Sequence, residues 1–212
     1  SITLGYVFGL LIEHFKEKRA IARLFMILSV VSSLAVLGYF KYADFFISNF
    51  NAVTGLSIPL LKIALPVGIS FYTFQILSYT VDVYRGDVAA QKNPIDLATY
   101  VALFPQLIAG PIVRYSDIAL QLKERTHSFE KISSGISRFI IGLSKKILIA
   151  NFLGELCDTF KASGDKSVMF FWLYAIAYTL HIYFDFSGYS DMAIGLGRIF
   201  GFEFLENFNY PY

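Results

Sequence analysis

Apolar residues in this chain fall in long runs separated by short polar clusters, not in the strict alternation of half-buried strands. Leu24 to Phe40 carries no charge, and the stretch continues through Tyr42 to Ile47. Ile63 to Val81 is likewise uncharged, with Pro66 near its start. Leu97 to Val113 is a third run, interrupted by Pro105 and Gly110-Pro111, and Ser167 to Phe184 is a fourth, carrying His181. Crossing the hydrocarbon core takes about 20 mostly apolar residues, so the pattern predicts an all-α, polytopic transmembrane bundle. Ile132 to Phe160 differs, because Lys145 and Lys146 interrupt it. It reads as a long, partly amphipathic helix, half interfacial or packed on the bundle.

Basic clusters orient the runs. Lys16, Lys18, Arg19 and Arg23 form the first and are placed in the cytoplasm; Arg85 and Lys92 return to that side two passages later. The next cluster, Arg114, Lys123, Arg125 and Lys131, would lie outside if Leu97–Val113 crossed fully. A segment that dips in and returns keeps both loops cytoplasmic, so the expectation is a re-entrant segment lined by protein or a wet cavity.

Composition agrees with a membrane chain. It is 56% hydrophobic, 17% aromatic and 16% charged, with mean hydropathy +0.56, where soluble domains carry about 25% charged residues. A net charge of +2 with dispersed basic residues argues against nucleic acid. No linker divides the 212 residues, so a single membrane domain is expected, cut at both ends. Cys157 is alone, which excludes an internal disulfide, and reads as a packed small hydrophobe. His14 and His127, set among charges, read as solvated, and no metal-ligand spacing links the histidines.

Chemistry concentrates in Tyr183-Phe184-Asp185-Phe186-Ser187-Gly188-Tyr189-Ser190-Asp191. An acid at bilayer depth is costly and faces protein or a wet cavity. His181 and Asp185 are four residues apart, on one helical face with Tyr178 and Tyr174. A histidine held by a carboxylate suits a general base; the same pair serves equally well as a satisfied packing contact. Gly188 is expected to break or kink the helix, with Ser187 or Ser190 capping a following helix over Met192–Phe200 and Asp191 in its first turn.

Four stretches together resemble the membrane-bound O-acyltransferase family, closest to its bacterial alginate O-acetyltransferase branch. They are Pro66-Val67-Gly68-Ile69-Ser70-Phe71-Tyr72-Thr73-Phe74-Gln75 with Asp82-Val83-Tyr84-Arg85-Gly86, Phe104 to Arg114, Tyr183 to Gly195, and Glu206-Asn207-Phe208-Asn209-Tyr210-Pro211-Tyr212; Gly38 to Tyr42 also fits. The resemblance implies a helical fold pierced by a tunnel, in a multi-pass protein of the bacterial inner membrane. It implies acetyl-CoA as cytosolic acyl donor, with no covalently bound cofactor and no metal. The acetyl group would pass to an exported polysaccharide acceptor or to an extracytoplasmic acetyltransferase partner protein.

The family's catalytic histidine lies in a Trp-Arg-Arg-Trp-His-like motif that follows the Asn-Tyr-Pro-Tyr stretch. The 212 residues end before it, so no catalytic residue is assigned and the fragment alone is expected to be inactive. Gln106, Gly110, Pro111, His181, Asp185, Ser187, Tyr189 and Asp191 are then candidates for lining the tunnel, and Arg114, Lys145 and Lys146 for meeting the phosphates of coenzyme A. The competing readings are a transporter or channel-like carrier, and a truncated non-catalytic membrane scaffold. Alginate, another exopolysaccharide, peptidoglycan and teichoic acid all remain open as acceptors.

Overall fold

The computed structural model describes residues 1–106, 113–122, 124–164 and 167–208. Every regular element among them is helical, as the apolar runs predict. The chain divides into two compact units, one of Ser1–Ile108 with Arg114–Leu122 and one of Ala109–Val113 with Lys123–Tyr212.

In the first unit α1 (Ile2–His14), α2 (Arg19–Thr54) and α3 (Ile69–Arg85) pack against one another. Gly5 and Gly9 let α1 lie close on α3: a Cβ at Gly5 would fall 2.6 Å from Ile76 Cγ2, and one at Gly9 2.8 Å from the Tyr79 hydroxyl. α2 contains the first predicted span. Its 36 residues, with mean hydropathy 2.2 over the most apolar window, are long and apolar enough to cross a membrane.

The second predicted span is not one helix. Residues 55–68 leave the helical path, and α3 begins only at Ile69, after Pro66 and a left-handed Gly68 (φ 73°). Proline lacks the N–H that a helix interior needs. Side chains of α2 replace the missing helical bonds: Asp44 accepts from the amides of Leu61 and Lys62 at 2.8 and 3.0 Å. Asn51 both donates to the Ile58 carbonyl and accepts from its amide.

Within the third run, α4 (Pro94–Ala102) spans nine residues and is followed by a short 3-10 turn at Phe104–Gln106. Asn93 caps α4, accepting from the Ile95 amide at 3.0 Å, and Pro94 takes the first turn. Gly110, Pro111 and the predicted re-entrant turn lie outside the described residues, as does the Gln106 side chain. α5 (Tyr115–Ile118) closes this unit.

In the second unit α6 (Phe129–Ser144) runs through a π-turn at Lys145–Ala150 into α7 (Asn151–Ala162), the long amphipathic helix expected over Ile132–Phe160. α8 (Val168–Ile199) has 32 residues and contains the fourth span, again long and apolar enough to cross a membrane. It continues without interruption through Gly188. The expected break, a cap at Ser187 or Ser190, and a new helix starting near Asp191 are therefore corrected: all three residues lie in the helix interior. The reason is packing. Gly188 faces Gly142 of α6, and a Cβ on it would fall 2.8 Å from the Gly142 carbonyl oxygen. Gly195 faces Gly135 in the same way, at 2.6 Å. Two glycines seven residues apart on each helix thus bring antiparallel backbones into contact, as small residues do between membrane helices.

Candidate functional site

The charged residues of α6 and α8 meet beside these glycine contacts. Gly135, Arg138, Gly142 and Lys145 recur at three- and four-residue spacing, which places them on one face of α6. Asp191, only 3% exposed, receives both cations from that face. Arg138 Nε donates to Asp191 Oδ1 at 2.8 Å, and Lys145 Nζ donates to Oδ2 at 2.6 Å. Lys146 pairs with Asp185, one turn and a half earlier on α8 and more open to its surroundings.

Arg138 also reaches the segment that follows α8. α8 ends with Gly201 in the left-handed region (φ 81°); the Phe202 amide donates to the Gly197 carbonyl at 2.8 Å, and the Gly201 amide to Arg198. This six-to-one and five-to-two pairing reverses the chain, and it favours glycine because other residues are strained there. The segment then runs back along α8, with Phe204 against Gly197 and Phe208 against Tyr183. The Arg138 guanidinium grips Glu206 with two bonds, 2.9 and 2.6 Å, while holding Asp191. Arg198 lies 3.9 Å from the same carboxylate and bonds Ser134 at 3.0 Å. Farther out, Lys131 pairs with Glu203 at 2.8 Å and holds that carboxyl below the usual glutamate range.

Three carboxylates of the candidate stretches, Asp185, Asp191 and Glu206, therefore each have a cation partner. A planar guanidinium gripping two acids is a geometric clamp, and a buried carboxylate with two cations has no free role as proton acceptor. Asp185 and Asp191 brace α8 against α6. The predicted His181–Asp185 pair is not formed, because Lys146 occupies Asp185. Lys145 and Lys146 are both engaged with α8 rather than set apart for an anion.

His181 instead donates from Nδ1 to the Ala150 carbonyl at 2.7 Å, at the end of the π-turn. A π-turn disturbs the regular helical ladder and often marks a functional position. The bond requires the proton on Nδ1 and orients the ring, with Nε2 directed away from that contact. Gly154 makes room for the ring, since a Cβ there would meet Cε1 at 3.1 Å. His181 lines an open cavity of about 350 Å³ with Asn151, Glu155, Cys157, Asp158 and Tyr178. Tyr178 and Tyr174 share its face as expected, the two phenol rings stacking at 5.8 Å. Ser187 and Ser190 are buried with no hydrogen-bond partner among the described residues, and Tyr189 is half-buried.

In the first unit a polar network fixes the loop after α3. The Gln91 amide donates to the Tyr79 hydroxyl at 2.8 Å, and the Gln91 side chain to Tyr115 at 2.9 Å. Burial pushes the Tyr115 phenol up, partly offset by that bond. The Asp82 carbonyl accepts from Gly86 and Asp87, and Gly86 is left-handed (φ 87°), so the Asp82–Gly86 signature encodes this reversal. Arg114 is exposed and precedes α5, where its amide donates to Asp117 at 3.0 Å.

Residues 88–211 match the model of the membrane-bound O-acyltransferase (MBOAT) family. The chain belongs to this family. Over 98% of its length it is 49% identical to a protein of Pseudomonas aeruginosa named probable alginate O-acetylase AlgI, and 47% identical to its namesake in Azotobacter vinelandii. It is 36% identical to a peptidoglycan O-acetyltransferase of Helicobacter pylori across all of the chain. The chain spans 41%, 42% and 45% of those three proteins, about two fifths of their length. The MBOAT match covers two of the four resembling stretches, all but Tyr212 of a third, and the whole α6–α8 brace.

Arg138 and Glu206 carry the brace, yet reading the sequence did not single out Arg138. The available signal was the shared seven-residue spacing of Gly135/Gly142 and Gly188/Gly195, with Arg138 and Asp191 inside the two intervals.

Proposed function

We propose that this MBOAT chain is part of an O-acetyltransferase of the bacterial inner membrane. In this reading it forms one multi-pass domain, takes acetyl groups from cytosolic acetyl-CoA and passes them toward an exported, alginate-like polysaccharide, directly or through an extracytoplasmic partner protein. The observation that carries the proposal is the 47–49% identity, over 98% of the chain, to proteins named as probable alginate O-acetylases. The relative named for peptidoglycan is less similar, at 36%, which ranks uronate polysaccharide ahead of cell-wall glycan.

In the proposed reaction an acceptor hydroxyl oxygen attacks the thioester carbonyl. The hydroxyl proton passes to a base, the C–S bond breaks, and the base returns that proton to the departing sulfur, so coenzyme A leaves as the thiol. A histidine outside these 212 residues supplies that base, a contribution of about 10²–10⁴-fold. Polar groups facing the tunnel stabilise the oxyanion. Gln106, Gly110, Pro111, His181, Ser187 and Tyr189 are proposed for its wall, with Asp185 and Asp191 holding α8, which carries the last three. Arg114 is the proposed coenzyme A phosphate contact with no competing carboxylate bond to its side chain among the described residues; Lys145 and Lys146 could serve only by exchanging partners.

The ion pairs also bear on the carrier reading. A carrier's intramembrane acids bind and release a cation, whereas Asp185 and Asp191 are already neutralised by lysine and arginine. The test is the intact protein in proteoliposomes with acetyl-labelled acetyl-CoA and polymannuronate. Label appearing in hydroxylamine-labile esters on the polysaccharide supports the proposal. No ester label, with or without a partner fraction, refutes it.

A further inference from the structure

A second charged cavity lies in the first unit, apart from the brace. It has a volume of about 340 Å³ and is lined by Lys16, Arg19 and Arg85, with Glu13, Gly86, Val88 and Ala89 among its other walls. None of its three cations forms an ion pair among the described residues. Its one acid, Glu13, accepts from the Ala90 amide through Oε2 at 2.5 Å, so the lining sets three cations against a single carboxylate.

Helix dipoles sharpen the imbalance. Lys16 and Arg85 sit near the C-termini of α1 and α3, where cations are favoured. Arg19 does not: it is the first residue of α2, and that first turn holds no acid. There the guanidinium and the positive end of a 36-residue helix add rather than cancel, a situation that an anion relieves. The uncharged run Leu24–Phe40 begins five residues later, so Arg19 stands at the polar end of the first candidate span. Gly86, with nothing within 4 Å of where a Cβ would sit, keeps the floor open.

We propose that Lys16, Arg19 and Arg85 form a phosphate-binding site at the water-facing end of α2. It takes a phosphate ester carried either by a lipid headgroup or by a soluble nucleotide. The site stands independently of the transferase reading, since it needs neither acetyl-CoA turnover nor an acceptor.

Native mass spectrometry of the intact protein provides the test. Detergent-solubilised protein is titrated with phosphatidylglycerol, phosphatidylcholine or ADP. The variant K16Q/R19Q/R85Q is compared with K18Q/R23Q/K92Q, which removes the same charge from the same region without touching the cavity lining. The site predicts one tightly held phosphatidylglycerol or one ADP, weakened at least tenfold in the cavity variant and less than threefold in the control. Retention of phosphatidylglycerol alone identifies a headgroup site, and retention of ADP identifies a soluble phosphate. Equal losses in the two variants, or no preference over phosphatidylcholine together with no ADP binding, overturn the proposal. Arg19→Gln alone, at an exposed position, replaces the triple variant if that fails to fold, and should weaken binding about threefold; an unchanged affinity overturns the site.

Discussion

Gly142→Ala probes the backbone contact that sets α6 against α8. In an open helix this change stabilises by about 0.5–1 kcal/mol, because alanine loses less backbone freedom on folding. Here the new Cβ would lie 2.5 Å from the Gly188 carbonyl oxygen, 2.7 Å from the Met192 amide nitrogen and 2.8 Å from Asp191 Cβ. Two of these three neighbours are backbone atoms and cannot rotate away. Restoring ordinary van der Waals separation requires the helices to part by roughly 1 Å. Such overpacking costs about 1–3 kcal/mol, and the same movement stretches the 2.6 and 2.8 Å bonds from Lys145 and Arg138 to Asp191. Subtracting the alanine gain leaves a net loss of about 0–2.5 kcal/mol from overpacking, and the weakened bonds to Asp191 add to it, so the sign reverses. Gly38, inside α2 with nothing within 4 Å, is the control, and Gly38→Ala should be neutral or stabilising. The assay is denaturant unfolding of the intact protein in micelles, followed by far-ultraviolet circular dichroism. Gly142→Ala as stable as wild type, beside a normal Gly38→Ala, would refute the close-packing argument.

Other expectations follow from the same geometry. Arg138→Gln leaves Asp191 with Lys145 alone and frees Glu206, so it should cost about 2–4 kcal/mol, and Arg138→Lys should recover only part, since an ammonium lacks the planar fork that bonds Glu206 with two N–H groups while a third reaches Asp191; the same unfolding assay reads both. His181→Ala should lower acetyl transfer by the intact protein less than tenfold, because the proposed base lies elsewhere; a loss of 10²-fold or more would give that role to His181. The Lys131–Glu203 contribution should depend on pH. The Glu203 carboxyl titrates lower in the folded state, so the pair stabilises above the ordinary glutamate range and fades as pH falls through the lowered value. A Lys131→Met variant should then differ from wild type at pH 7, and the difference should shrink steadily as pH falls below the ordinary glutamate range, read by thermal unfolding.

Much of the scaffold was legible from the residues. Charge-free runs marked α2 and α8, because only apolar surface is tolerated over that length. The Ile63–Val81 run misled, since absence of charge says nothing of backbone geometry and Pro66 with Gly68 set the helix start at Ile69. Gly188 misled in the opposite sense. Glycine's freedom suggests a break, but here its missing side chain serves close contact within a continuous helix, which only the facing Gly142 reveals. The His181–Asp185 spacing was compatible with a bond, and the competitor was a lysine 39 positions away in sequence. Long-range ion pairs of this kind leave little local trace, and the matched heptad spacing of the glycines, which bears on the pairing of α6 with α8, was not among the expectations read from the sequence.

The account rests on Asp185 and Asp191 holding α8 in place and taking no part in proton transfer. Asp185→Asn tests this most directly, because its half-exposed pair with Lys146 contributes about 1 kcal/mol or less and the variant should fold. Acetyl transfer by the intact Asp185→Asn protein should stay within about threefold of wild type, with an unchanged pH profile. A loss of 10²-fold or more at an unchanged melting temperature would contradict the account and return the carboxylate to the chemistry.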